Sequence, residues 1–222
     1  MNSKKEIKNL SNKEKLDMLN MLYGGNVMCT NGLFHLLDDK HNEVYINSNT
    51  AELDRRGLYK TFVVMDKVVV SKVTNNDKVN FVILDKDTLE CVYKTKGNIF
   101  YINDYMVCDK KDNVCTLISH TGKILGKIDN IKAVSNIKGS MYIASSTVMY
   151  NDRVLYYNKH KDELEDLTFD KNYLIHRLDK HGTEVEVISM EGGKYIYDFE
   201  THLVKNKFTG KVEKDTNLWK VI

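Results

Sequence analysis

Apolar residues in this chain fall into short runs, each closed by a polar turn. In Asn80–Tyr93, "NFVILDKDTLECVY", an apolar run is followed by a polar turn and then a second apolar run. The pattern is clearest when registered on the last residue before the turn: Asn47, Asp85, Ser119, Asn158 and Asp198. The preceding triplets are Val44-Tyr45-Ile46, Val82-Ile83-Leu84, Thr116-Leu117-Ile118, Leu155-Tyr156-Tyr157 and Tyr195-Ile196-Tyr197, and only Thr116 breaks their apolar character. Three places after the reference stand Thr50, Thr88, Gly122, Lys161 and Thr201. Six places after it stand Leu53, Cys91, Leu125, Leu164 and Val204, all apolar. The references lie about 38, 34, 39 and 40 residues apart, spacings typical of repeat architectures.

The repeating unit reads as β-structure. Its runs are β-branched and aromatic, which suits a pleated surface. They are apolar at consecutive positions, as expected of strands buried on both faces. The second unit offers "TFVVMD", "VVVSKV", "VNFVILD" and "ECVYK"; the third "NIFYIND", "YMVCD", "CTLIS" and "ILGKI". The fourth offers "KAVSNIK", "MYIASSTVMY", "VLYYN" and "LEDLTF"; the fifth "YLIHRLD", "EVEVIS", "KYIYDF" and "LVKNKF". The first unit begins with "GLFHLLDD", "EVYINS" and "LDRRGLY", leaving it one strand short at its front, which "NLWKVI" with Trp219 is placed to supply.

Four antiparallel strands per unit, repeated along residues 26–222, resemble a five-bladed β-propeller, an all-β fold whose blades stack face to face. The alternatives are a β-sandwich with a longer meander and an irregular solenoid. The signature dipeptide of WD repeats and the paired glycines of kelch blades are absent from the sequence, so the resemblance is to an architecture only.

Residues 1–25 form a separate N-terminal extension, with residues 3–23 reading as helix. Ser11 and Glu14 match a capping box. Leu16, Leu19 and Leu22/Tyr23 fall on one face, and Gly24-Gly25 stops the helix. The helix either packs on the outside of the repeat domain or remains exposed for dimerisation or partner binding.

Composition narrows the functional classes. Lys+Arg at 33 nearly balance Asp+Glu at 31, for a net charge of +2, which argues against nucleic acid as a partner. The absence of proline beside abundant Lys, Asn, Asp, Ile and Tyr points to an AT-rich genome, such as that of a bacterium or phage. No stretch reaches the ~18 apolar residues of a membrane span, and the first residues lack a signal-peptide core. The expected location is therefore the cytoplasm, with no membrane contact. Four cysteines are too few for a disulfide framework. Cys108 and Cys115 would face each other across a hairpin, where reduced thiols are expected and an oxidised pair is conceivable.

Phosphate loops, nucleophile elbows and HExxH segments are absent from the sequence. "MEGGKY" at Met190–Tyr195 reads as a turn. The histidines, His35, His41, His120, His160, His176, His181 and His202, are scattered, and no metal or cofactor is expected. Asp85 and Asp198 hold turn positions where Asp bonds its own backbone, and "KDELED" reads as a solvated hairpin rather than an acid/base pair. The first strand of each unit would line the channel of a propeller, making Tyr101, Asn136, His176, Arg177 and Lys220 the candidate binding residues. The His176-Arg177 pair interrupts an apolar strand; adjacent strand residues face opposite ways, so only one of the two can face a given neighbour. The chain therefore reads as a non-enzymatic scaffold that engages a protein partner. The alternative is a small-molecule or glycan binder, or a hydrolase, working in the channel.

Overall fold

The structure, a computed structural model, describes residues 7–74, 80–148, 152–167, 173–178, 184–189, 192–198 and 203–213. Helix α1 (Asn12–Tyr23) starts at a capping box: the Ser11 hydroxyl accepts from the Glu14 N–H, and the Glu14 carboxylate accepts from the Ser11 N–H at 2.8 Å. This helix begins at Asn12; Ile7 before it is also helical, and residues 3–6 of the expected helix lie outside the described residues. The Leu10 N–H closes a separate turn on the Ile7 carbonyl, and Ser11 itself is extended. Gly24 ends the helix at φ 75°, a conformation open to glycine at little cost. Leu19 is buried, with Leu16, Met18 and Tyr23 beside it, against Val27, Phe34 and Ile46. Leu22 does not share that face and is 61% exposed.

The strands follow one another as antiparallel meanders. The first comprises β1 (Met28–Thr30), β2 (Leu33–Leu37) and β3 (Glu43–Ile46); the second β4 (Tyr59–Val64), β5 (Val68–Val73), β6 (Phe81–Asp85) and β7 (Cys91–Thr95). The third comprises β8 (Asn98–Asn103), β9 (Met106–Lys111), β10 (Val114–Ser119) and β11 (Ile124–Ile128). The fourth comprises β12 (Ile131–Lys138), β13 (Met141–Ser146), β14 (Arg153–Asn158) and β15 (Glu163–Leu167). The last comprises β16 (Tyr173–Leu178), β17 (Glu184–Ser189), β18 (Lys194–Asp198), β19 (Leu203–Asn206) and β20 (Val212–Glu213). Neighbours in sequence are neighbours in each sheet, and a single pairing, Glu43 with Tyr59, joins the first two meanders. The chain divides into two compact units, Met1–Lys111 with Leu117–Ile124, and Asp112–Thr116 with Leu125–Ile222.

The first meander departs from expectation at both ends. Its front strand is present: β1 pairs with β2 in the register Met28↔His35. The predicted strand "LDRRGLY" is not a strand; Leu53 makes one isolated bridge to Ile46, and a loop follows as far as Tyr59. The Asp54 carboxylate accepts from the Arg56 N–H at 3.0 Å, turning the chain out of extended conformation. "NLWKVI", with Trp219 and Lys220, lies outside the described residues.

Burial on both faces follows from the consecutive apolar triplets. In β5, Val69 packs with Leu33, Tyr45, Tyr59, Leu84 and Leu89 on one side. Val68 and Val70 pack on the other with Met65, Ile83, Ile99, Val107 and Ile118. The second meander is therefore sandwiched between the first and the third.

Three of the reference turns share one chemistry, whereas at Ser119 the hydroxyl accepts from the Thr121 N–H and Gly122 takes the left-handed place. Asn47 Oδ1 accepts from the N–H groups of Asn49 and Thr50, and Asp85 Oδ1 from those of Asp87 and Thr88. Asn158 Oδ1 does the same for His160 and Lys161. The fourth residue after the reference is left-handed: Ala51 at φ 59°, Leu89 at φ 59° and Asp162 at φ 53°. A further copy closes β19 on β20, where Asn206 holds Phe208 and Thr209, and Gly210 takes the left-handed place.

The first strand of each later meander carries a bulge. It lies between Thr61 and Val63, Tyr101 and Asn103, Asn136 and Lys138, and Ile175 and Arg177. In three meanders the residue before the bulge sits at one register: Thr61–Ser71–Val82, Asn136–Tyr142–Leu155 and Ile175–Val187–Tyr195, the last of each trio lying three places before the reference.

Two substitutions test these arrangements. Ile83→Ala, at a fully buried site, is expected to lower stability by about 3 kcal/mol in urea unfolding. Ala51→Gly removes a left-handed alanine and is expected to raise stability by about 0.5 kcal/mol, read from the same transition.

Candidate functional site

Tyr101, Asn136, His176 and Arg177, singled out by the sequence, lie on the bulged first strands. Tyr101 is 46% exposed on β8. Its hydroxyl donates to Asp104, and this bond, with a smaller contribution from burial, raises its pKa to about 12. Beside it Phe100 is exposed, as is Phe62 on β4, which meets Phe81 edge-on at 6.0 Å. Asn136 is spent on its own hairpin: its amide donates to the Gly139 carbonyl at 3.1 Å and to that of Met141 at 3.0 Å. Arg177 pairs in register with Glu186, and His176 occupies the bulge. The side chains of His176 and Arg177, and the whole of Lys220, lie outside the described residues. Tyr101 belongs to the first compact unit and Asn136 to the second.

A second cluster, which the sequence did not single out, surrounds the loop after Leu53. Asp54 is buried and its carboxylate is shared. Arg56 Nε donates to Oδ1 at 2.8 Å and Nη2 to Oδ2 at 3.0 Å, while the Tyr59 hydroxyl donates to Oδ2 at 3.0 Å. Arg56 Nη2 also reaches the Leu89 carbonyl. Tyr59 stacks on Tyr45 with ring centroids 4.6 Å apart. The Tyr45 hydroxyl meets Thr61 Oγ1 at 2.8 Å and Ser71 Oγ at 2.5 Å, and Thr61 donates to Glu43.

Two adjoining clefts open around this loop. One, about 310 Å³, is lined by Asn47, Glu52, Leu53, Asp54, Arg55, Arg56, Thr88 and Leu89. The other, about 190 Å³, is lined by Arg56, Gly57, Tyr59, Val73, Val82, Leu84, Cys91 and Lys94. Arg56 borders both. The second cleft lies against β6 and β7, where Val82 stands opposite Lys94 and Leu84 opposite Cys91.

Burial alone would push the Asp54 carboxyl up, but the hydrogen bonds and charge of Arg56, with the Tyr59 hydroxyl, outweigh it and hold the group below the ordinary Asp range. Burial, with the Asp54 charge nearby, pushes the Tyr59 hydroxyl up; burial is also the main cause of the upward shift at Tyr45.

Cys108 and Cys115 are both buried, with no disulfide between them. Cys91 is exposed at the second cleft. Among the described residues no group of three or more His, Cys, Asp or Glu side chains is placed to hold a metal ion, and no helix is long and apolar enough to cross a membrane. His181 and His202 lie outside the described residues.

Asp54→Ala removes the acceptor for both Arg56 and Tyr59 and is expected to cost about 2 kcal/mol in urea unfolding. Because the folded pKa is depressed, the ionised Asp54 contributes stability above the unfolded value of about 3.9, and this is lost as pH falls through the lower folded value. Unfolding midpoints measured from pH 6 downward (roughly to pH 2) are therefore expected to fall less steeply in Asp54→Ala than in the parent chain.

No family model matches this sequence, and no curated protein matches it. Among solved structures it is similar to BamB from Moraxella catarrhalis at 9% identity, covering 88% of this chain and 74% of that one, with a TM-score of 0.32. It is similar to Hsv2 of Kluyveromyces lactis at 11% identity, covering 80% of this chain and 60% of that one, with a TM-score of 0.36. It is similar to an oligogalacturonate lyase in complex with manganese at 12% identity, covering 85% of this chain and 66% of that one, with a TM-score of 0.31. At such identities and scores these likenesses transfer no residue and no activity to this chain.

Proposed function

We propose that this chain is a non-enzymatic binding module, a five-bladed β-propeller scaffold over residues 26–222 with a helical extension over 1–25, that engages a protein partner. The consecutive meanders, the sandwiched second meander and the bulge recurring at one register support the scaffold. The proposed partner surface comprises the exposed aromatics of β4 and β8, both in the first compact unit. The observation that carries it is the exposure of Phe62, Phe100 and Tyr101, at 46%, 51% and 46%. Large aromatics left in water, one with a polar tip, are the anchors that protein interfaces favour. Bulges re-aim side chains and recur beside functional sites.

The hydrolase reading has weaker support. A general acid needs its carboxyl held up near working pH, whereas Asp54, the buried carboxylate at the cleft, is held below the ordinary range. The AT-rich composition supports a bacterial or phage source, with a cytoplasmic protein as the partner.

The test compares the immobilised full chain with the Phe100→Ser/Tyr101→Ser double variant in extracts of the source cell or its host. Both side chains are about half exposed, so the melting temperature is expected to stay close to that of the parent. The parent is expected to retain a protein in stoichiometric amount and the variant to lose it at least tenfold. Equal retention by both, or retention of no protein, overturns this reading.

A further inference from the structure

The clefts at the loop after Leu53 have a chemistry of their own, separate from the first-strand aromatics. Arg56 is fixed before any ligand arrives: Nε and Nη2 are held by Asp54, and Nη2 also by the Leu89 carbonyl. Its remaining nitrogen, Nη1, has no hydrogen-bond partner among the described residues, and 59% of the side chain is exposed. One guanidinium edge is thus locked by the protein and the other is presented to solvent at the junction of the two clefts. Lys94 stands on the wall of the smaller cleft with no ion-pair partner among the described residues. Val73, Val82 and Leu84 line the same cleft and give it an apolar floor.

A fixed guanidinium loses little freedom when it binds an oxyanion, because its fork is already ordered. The Asp54 charge is satisfied by Arg56 and Tyr59, which leaves Lys94 as the uncompensated charge beside the floor. The two cavities together fall within the size range of small-molecule sites, and an apolar lining with a few placed polar groups is their usual make-up. Among the described residues no helix N-terminus borders the clefts to wrap a phosphate. A single N–H edge with a neighbouring ammonium suits one carboxylate, and the floor suits an aliphatic or aromatic body attached to it.

We propose that this cleft binds a small organic monocarboxylate, its carboxylate between Arg56 Nη1 and Lys94 and its apolar body on Val73, Val82 and Leu84. The site does not depend on the protein-partner reading and survives its failure.

The experiment uses the full chain and four probes: phenylacetate, octanoate, the neutral isostere phenylacetamide, and inorganic phosphate. Binding is read by calorimetry and by the rate at which iodoacetamide alkylates Cys91, followed on the Cys91 peptide so that the half-buried Cys29 is counted apart; Cys91 is exposed at the cleft, whereas Cys108 and Cys115 are buried. Phenylacetate or octanoate at about 10 mM, roughly tenfold above a 1 mM dissociation constant, is expected to slow Cys91 alkylation several-fold. Phenylacetamide and phosphate are expected to leave it unchanged. Arg56→Gln and Lys94→Gln are each expected to weaken carboxylate binding about tenfold. Lys94 is exposed, so its variant keeps the fold even if Arg56→Gln loosens the loop. Shielding by phenylacetamide equal to that by phenylacetate, shielding by phosphate, undiminished binding in Lys94→Gln, or no shielding by either acid overturns the proposal.

Discussion

A four-stranded sheet with apolar residues on both faces cannot stand alone in water, and the rest of the described structure answers to that constraint. Val68, Val69 and Val70 are all essentially inaccessible, although alternate side chains in a strand point to opposite faces. Each such side chain is worth roughly 1.5–3 kcal/mol when fully buried, so β5 needs a neighbour on either side. The first meander covers one face through Leu33 and Tyr45, and the third covers the other through Ile99, Val107 and Ile118. α1 meets the same need for the first meander, covering Phe34 and Ile46 on the face away from the second.

Stacking of this kind requires neighbouring sheets to keep a common register, and the turns supply part of it. The Ser48 N–H and hydroxyl donate to the carbonyl and carboxylate of Asp87, and the Asn47 amide donates to the Thr88 carbonyl. The turn of the first meander is thereby tied to that of the second. The Lys67 N–H donates to the His120 carbonyl, tying the β4–β5 hairpin of the second meander to the turn of the third. The Asx turns at Asn47 and Asp85 thus both close their own hairpins and hydrogen-bond to each other across the two meanders.

Much of this was legible in the chain. Consecutive apolar triplets signal two-sided burial, and the aspartate or asparagine after them signals the turn, because both follow from local chemistry that the residues carry with them. The Asn206 turn was legible in principle: "NKFTGK" repeats the pattern of "NSNTAE" and "DKDTLE", one strand later than expected. β1 was missed because "MCT" is too short to show a period. The failure at "LDRRGLY" has a different cause. Its apolar ends fit the repeat, but Asp54 finds Arg56 two residues on, and a local ion pair with an Asx turn defeats the extended conformation. The expectation of one unbroken helix missed the interruption before Asn12, where the cap at Ser11 starts a new helix.

The loop after Leu53 is thus the one described place where the repeat is broken by side chains and not by length alone. Regular patterning is expected to fail where a sequence serves something other than the fold. The chain there uses a buried carboxylate to hold a largely exposed arginine in one orientation, beside a cleft where Val82 stays half-buried. An ion pair with one partner exposed gives weak net stability compared with apolar packing. Stability alone therefore gives little reason for Asp54 and Arg56 to replace a strand. Presenting a fixed guanidinium edge beside an apolar floor gives a better one.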